Sequence, residues 1–307
     1  MIKYLKHSEI DIVKWDSCIH GARNSMVYAR SWYLDIVSPQ WDALIYNDYE
    51  AVMPLTWKKK VGIKYLSQPF LTQQLGIFSK SVVSSDVVNE FLSLATSKYR
   101  LVDIHLNSYS EIKKEEVRKY VNQELNLNRN YDDLHREYSK SNAKNLKIAL
   151  KTFTDISESD DSATFVKNYE EYSGKRIHGL SNKHYRIMKN LIDKSMNIGI
   201  GKIFSIVVND KIAASVFYLF DKDRIIQLIA YSSPVGRNKK SMFALIDSII
   251  GQHAGTNLIY DFEGSGIKGI HEFNKGFGAT STKYYHLYIN KLPFLIKVIK
   301  AIQEKFS

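Results

Sequence analysis

The chain has 307 residues, a formal net charge of +11, 44% hydrophobic residues, one cysteine and five prolines, a length that exceeds what one hydrophobic core usually serves, so two folded domains are expected. Cys18 alone excludes an internal disulfide and a cysteine-based metal site. No apolar run approaches the ~20 residues a membrane-spanning helix needs, and Met1–His7 lacks a signal-peptide core, so a cytoplasmic protein without stable membrane insertion is expected. The positive charge suits an anionic partner: nucleic acid, a nucleotide-linked substrate or a membrane surface.

Apolar periodicity predicts short helices near Asp11–Cys18 and Ser31–Val37, then a hairpin of Asp42–Tyr46 and Ala51–Trp57 around Asn47-Asp48. Strands at Tyr65–Leu66 and Leu75–Phe78, a helix over Ser85–Tyr99, and strands at Leu101–Leu106 and Lys119–Leu127 follow. In the second half, helices over Ser162–Tyr172 and Asn182–Met196 precede three strands, Lys202–Val208, Ile212–Phe220 and Arg224–Tyr231. The polar turns Asn209-Asp210 and Asp221-Lys222-Asp223 make these an antiparallel meander. A helix over Lys239–His253, a strand ending at Asp261, a short helix over Gly269–Lys275, an aromatic strand Tyr284–Ile289 and a basic amphipathic tail, Pro293–Lys305, complete the order. The first half repeats this order more faintly. The expected fold class is α/β with mixed sheets, in two domains, 1–135 and 136–307.

Between the halves, Arg136, Lys140, Lys144, Lys147 and Lys151 recur at helical spacing. At ~100° per residue they share an arc of roughly 80°, while Leu146, Ala149, Leu150 and Phe153 point the other way. A continuous helix over Asp132–Lys151, capped by Asp132 or Asp133, presents a basic stripe to an anion; Ser139-Ser141-Asn142 is the alternative, a split helix.

The densest signal is Asp261–Gly278, where a buried strand ends among carboxylates and five glycines, Gly264, Gly266, Gly269, Gly276 and Gly278. Open α/β sheets bind ligands beyond the carboxyl ends of their strands. Acyl transfer to an amine needs a neutral amine and a stabilised oxyanion. Lys275 or nearby backbone N–H groups suit the oxyanion; Asp261 or Glu263 suits the amine, with His271 as a further candidate base. Tyr185 and Tyr231 are expected to line the same cleft, with Gly264 and Phe277 at its edge. A zinc hydrolase, a nucleophile elbow and a nucleotide-binding P-loop are not indicated, because H-E-x-x-H, G-x-S-x-G and G-x-x-x-x-G-K-[ST] do not occur.

The element order of the second half resembles the GNAT acyltransferase fold. Asp261-Phe262-Glu263-Gly264-Ser265 with Phe273-Asn274-Lys275-Gly276-Phe277-Gly278 resembles the Fem family of peptidyltransferases, tandem GNAT-like proteins that transfer amino acids from aminoacyl-tRNA onto peptidoglycan precursors. Ser141-Asn142-Ala143-Lys144-Asn145-Leu146-Lys147 looks like that family's basic helix, and Tyr28–Leu34 with Gln68–Gly76 suit its first domain. The resemblance implies an active site in the second domain, no cofactor, and tRNA or a nucleotide-linked peptide substrate held by Arg136, Lys144, Lys147 and Lys151. Family members often carry lysine directly after the phenylalanine of F-x-x-G-F-G; here Asn274 stands there and Lys275 follows.

Two other readings stay open. An acyl-CoA N-acyltransferase would bind the CoA pyrophosphate after the fourth strand, where this chain has a single glycine, Gly236, with Arg237, Lys239 and Lys240 as phosphate ligands. A non-catalytic RNA-binding protein with a GNAT-like fold would use the charge alone.

Overall fold

The computed structural model describes residues 1–108, 117–152, 156–264 and 266–293. Phe153, Ser265 and the expected tail beyond Pro293 lie outside the described residues. The chain forms two compact units, Met1–Tyr120 with the residues from Lys283 onward, and Val121–Thr282. The first contains β1 (Ile2–Leu5), α1 (Ile12–Gly21), α2 (Ser31–Val37), β2 (Asp42–Tyr46), β3 (Ala51–Leu55), β4 (Trp57–Lys60), β5 (Ile63–Ser67), β6 (Phe78–Ser79), α3 (Ser85–Lys98) and β7 (Leu101–Leu106). β8 (Val117–Asn126) starts in the first unit and ends in the second. The second holds α4 (Tyr131–Arg136), α5 (Lys140–Leu150), β9 (Ser157–Ser159), α6 (Ser162–Tyr172), α7 (Asn182–Asn197), β10 (Gly201–Val208), β11 (Lys211–Asp221), β12 (Arg224–Ser232), α8 (Pro234–Lys239), α9 (Ser241–His253), β13 (Ile259–Asp261) and α10 (Lys268–Lys275). β14 (Thr280–Asn290) carries the chain back into the first unit.

In the first unit, β1-β2-β3-β6 form one antiparallel sheet. β4 pairs antiparallel with β5, β5 parallel with β7, and β7 antiparallel with β14. The helix α3 buries Val88, Phe91, Leu92 and Ala95 in the core that holds Val102, Ile104 and Leu106 of β7. In the second unit the strand order is β8-β13-β12-β11-β10-β9, antiparallel except for β12 and β13. Asn209 and Asp210 adopt φ of 49° and 59°, the left-handed pair that a tight hairpin turn requires. The apolar side chains of α9, Ala244, Leu245, Ile246, Ile249 and Ile250, share a core with Val216, Tyr218, Ile225 and Tyr260 of the sheet.

Three expectations are corrected, and one alternative is decided. The domain boundary near residue 135 falls instead at 120/121, because β8 carries residues 124–126 into pairing with β13, and β14 completes the first unit by pairing with β7. Of the two forms open for Asp132–Lys151, the split one is observed, as the two helices α4 and α5. Asn130 caps α4 by accepting the Asp133 N–H, and Ser139 caps α5 by accepting the Asn142 N–H. The helix expected over Lys239–His253 is likewise broken at Lys240, whose φ is 62°; Ser233 and Pro234 start a separate turn, α8, ahead of it. Finally, β3 stops at Leu55, and Trp57 begins β4 in the other sheet, the Thr56 hydroxyl donating to the Ser67 carbonyl at the switch. Leu75 makes only a single bridge to Leu106.

Candidate functional site

Asp261 ends β13 directly opposite Glu124 of β8. Two carboxylates facing each other across a sheet repel, and Arg224 at the start of β12 resolves this. Its Nη1 lies 2.8 Å from Glu124 Oε1 and 2.9 Å from Asp261 Oδ2. Asn122 donates to both carboxylates, and the Glu263 N–H donates to Asp261 Oδ1 at 2.9 Å. That last bond closes a turn in which Glu263 takes a left-handed φ of 57°. Asp261 is 1% exposed. Burial pushes its carboxyl above the ordinary range, and the Arg224 charge works against the shift. Asp261 is therefore a buried strut that ties three strands, and it is not open to a substrate.

The glycine-rich motif after it is built around packing. On the opposite face of β8, Gln123 donates to the His271 carbonyl at 2.8 Å and accepts from Asn274 Nδ2 at 3.1 Å, which docks α10 on the strand. Asn274, at the position where the Fem resemblance expects lysine, is thus buried and tied to Gln123. Lys275, one residue on, is exposed. Asn142 donates to the Phe273 carbonyl at 3.0 Å, and the Ser139 N–H donates to the Gly276 carbonyl at 2.8 Å. These bonds lock the first turn of α5 onto the last turn of α10. Phe277 is 0% exposed and packs against Tyr138, Phe243, Phe262 and Phe273.

This junction leaves an open cleft of about 550 Å³, lined by Glu137, Ser139, Ser141, Asn142, Phe243, Gly269, Glu272, Phe273, Lys275 and Gly276. One wall is the N-terminal turn of α5, where backbone N–H groups and the helix dipole favour negative charge. The other is α10, whose C-terminal Lys275 brings a positive charge. Glu137 at the rim is held by Arg129 through two bonds, which keep its carboxyl below the usual range.

Of the residues expected at one site, the structure brings Lys275 to this cleft. Asp261, Glu263 and His271 are not among the residues that line it. Tyr231 is buried with Phe165 and Tyr172 and bonded to Asn168, Phe277 is a core position, and Gly264 is half-buried against the backbone of Val121 and Asn122. Tyr185 packs beside Gly174. Lys144 and Lys147 are exposed on α5 and Lys151 at its C-cap as expected, but Arg136 belongs to α4 and pairs with Asp133. Leu150, expected on the buried face, is 56% exposed. Sequence reading missed Glu137, Glu272 and Phe243 as cleft residues. The signal for the α5 wall was present in Ser139 three residues before Asn142, the spacing of a helix cap.

The loop in which the CoA reading places a pyrophosphate is folded into α8. A β-carbon at Gly236 would lie 1.9 Å from the Ala213 carbonyl oxygen, so the turn rests directly on β11. The Gly236 N–H is taken by Ser233 Oγ and the Arg237 N–H by the Ser233 carbonyl. Arg237 and Lys239 are exposed on this turn, the Arg237 guanidinium donating back to the Ser232 carbonyl at 2.5 Å. Among the described residues, no group of three or more histidine, cysteine or carboxylate side chains is arranged to hold a metal ion.

The chain is similar to the crystal structure of FemX, with a TM-score of 0.67 and 13% identity over 94% of this chain and 98% of that one. The fold is a Fem-type tandem GNAT-like fold. The likeness of this fold extends to L-PGS from Bacillus licheniformis, at a TM-score of 0.56 and 12% identity over 96% of each chain. It also extends to a tandem GNAT protein from the clavulanic acid biosynthesis pathway, at 0.51 and 8% over 95% of this chain and 99% of that one. No family model matches the chain, and no curated protein does. Among the described residues of this Fem-type fold, no helix is long and apolar enough to cross a membrane.

Proposed function

We propose that the protein is an acyltransferase that moves an aminoacyl group from aminoacyl-tRNA to an amine of a cell-wall precursor or a related acceptor. The observation that carries this reading is the cleft between α5 and α10, where Lys275 and the first turn of α5 open onto one space. An ester carbonyl placed there meets a cation and a positive helix end, the environment that stabilises an oxyanion. The exposed lysines that run from this cleft along α5 to its C-cap, Lys144, Lys147 and Lys151, offer phosphate contacts to a nucleic-acid donor. The tandem GNAT-like fold supports acyl transfer as the reaction class. The N–H groups of Gly236 and Arg237, spent within α8, favour the tRNA donor over acyl-CoA.

The test compares aminoacyl-tRNA, uncharged tRNA and acetyl-CoA for binding, then for transfer to an amine acceptor. Binding of tRNA without acetyl-CoA is expected, and Lys275→Ala is expected to lower kcat by about 10²–10³-fold with little change in KM. Acetyl-CoA binding without tRNA binding would replace this reading with the CoA-dependent one.

A further inference from the structure

The hairpin β4–β5 of the first unit carries the segment Lys58-Lys59-Lys60-Val61-Gly62-Ile63-Lys64. β4 is the edge strand of its sheet. Lys60 still pairs with Ile63, so the loop is Val61 and Gly62 alone, with φ of 49° and 78°. Two left-handed residues in succession make the turn that Asn-Gly suits best. Valine fits it poorly, because a β-branched side chain at positive φ is strained. Val61 is also 85% exposed, the most exposed large apolar side chain among the described residues. It carries strain without gaining burial.

Behind the tip, Lys59 and Lys64 oppose each other directly in register, a placement that like charges disfavour. The Lys64 ammonium lies 3.7 Å from the centre of the Trp57 ring, and neither lysine forms an ion pair among the described residues. Trp57 and Lys64 also line an open cleft of about 330 Å³ together with Lys6 and Ser8. The one carboxylate in that lining, Asp42, is 5% exposed and accepts from the Tyr4 hydroxyl and the His7 N–H. Lysine on an edge strand discourages the addition of further strands. That accounts for Lys59, but not for Lys64 on the inner strand or for Val61 at the tip.

We propose that the β4–β5 hairpin docks peripherally on an anionic lipid bilayer, with Val61 entering the boundary between headgroups and acyl chains and Lys59 and Lys64 meeting the lipid phosphates. At ~3.4 Å per residue, Val61 stands about 7 Å beyond Lys59 along the hairpin, within the ~5–10 Å to which interfacial apolar groups sink. The anionic surface relieves the repulsion between the two lysines, and the acyl boundary takes the exposed valine out of water. A nucleic-acid phosphate would answer the lysines alone, so the lipid surface is the partner that matches the whole tip. Such docking does not depend on which donor the cleft of the second unit accepts.

The experiment is co-sedimentation of the full chain with vesicles of phosphatidylglycerol and phosphatidylcholine in equal parts, and with vesicles of phosphatidylcholine alone. Binding to the anionic vesicles only is expected, and it weakens as salt rises. Val61→Asn is expected to lower this binding about tenfold. Its thermal midpoint is expected to hold or rise, because asparagine accepts the left-handed turn. Lys59→Gln and Lys64→Gln are each expected to lower vesicle binding about fivefold, and tRNA binding is expected to be unmoved by Val61→Asn. No binding to anionic vesicles, equal binding to both kinds, or binding that none of these variants weakens overturns the proposal. A Val61→Asn variant that loses stability along with binding also overturns it, since Val61 is then a structural residue. Lysine variants that weaken tRNA binding, with vesicle binding intact in Val61→Asn, assign the hairpin to RNA instead.

Discussion

Gly276 and Asn142 meet so closely that a β-carbon on the glycine would lie 2.4 Å from Asn142 Oδ1. The contact joins the C-terminus of α10 to the first turn of α5 and so sets the width of the cleft that holds Lys275. Gly276→Ala is expected to destabilise the protein by about 1–3 kcal/mol through overpacking. It is also expected to lower transfer more than Asn142→Ala, which opens the contact instead. Urea unfolding and steady-state rates on the same variants check both outcomes.

Arg224 holds two carboxylates, Asp261 and Glu124, that would otherwise face each other inside the sheet. Arg224→Met is expected to cost about 3–5 kcal/mol, since it leaves buried charge uncompensated. Adding Asp261→Asn is expected to restore part of that loss. An additive double variant in denaturant unfolding would contradict the coupling.

Asp247 of α9 is buried and accepts from the hydroxyls of Tyr131 and Tyr138. Burial raises its pKa, and the two hydroxyls oppose the shift. A carboxyl whose folded pKa lies above its unfolded value favours folding while protonated. That contribution is fully present below the unfolded pKa of about 4 and is lost as pH rises through the folded pKa. Asp247→Asn does not titrate, so its stability relative to wild type is expected to improve as pH rises through that window. A gap that stays constant or moves the other way in pH-dependent thermal unfolding would refute the assignment.

Lys144 and Lys147 are exposed on α5. Lys144→Glu with Lys147→Glu is expected to weaken tRNA binding and to flatten its salt dependence, by about 0.7–0.9 in log–log slope for each phosphate that the protein no longer neutralises. Stability is expected to change by no more than about 0.5 kcal/mol per site, as for other surface substitutions. Filter binding across a salt series decides it, and an unchanged slope removes the stripe from the donor site.

Local rules carried much of the fold. The meander β10–β12 was legible because period-two runs and two-residue polar turns are local signals, and α6 was legible from its apolar spacing. The helix breaks at Ser139 and Lys240 were harder, since a cap or a left-handed residue must outweigh a continuous amphipathic pattern. The site was less legible. The partners of Asp261 are Arg224, Asn122 and Glu124, all distant in sequence, so its carboxyl looked free when it is spent. Phe277 looked like a pocket wall because it sits among glycines, yet aromatic rings from several segments enclose it. The place of Lys275 in the cleft lining was legible because it is charged, flanked by a glycine and at the end of a short helix, all visible along the chain.

β14 supplies the partner strand for β7 in register from Tyr285↔Leu106 to Asn290↔Leu101. Ribosomal synthesis therefore delivers every element of the second unit before the strand that finishes the first. Until residues 285–290 emerge, the β7 edge that they pair with stands open, an adhesive template for other chains. A protein of this connectivity matures from its middle outward, and a fragment cut at residue 135 would keep that sticky edge permanently.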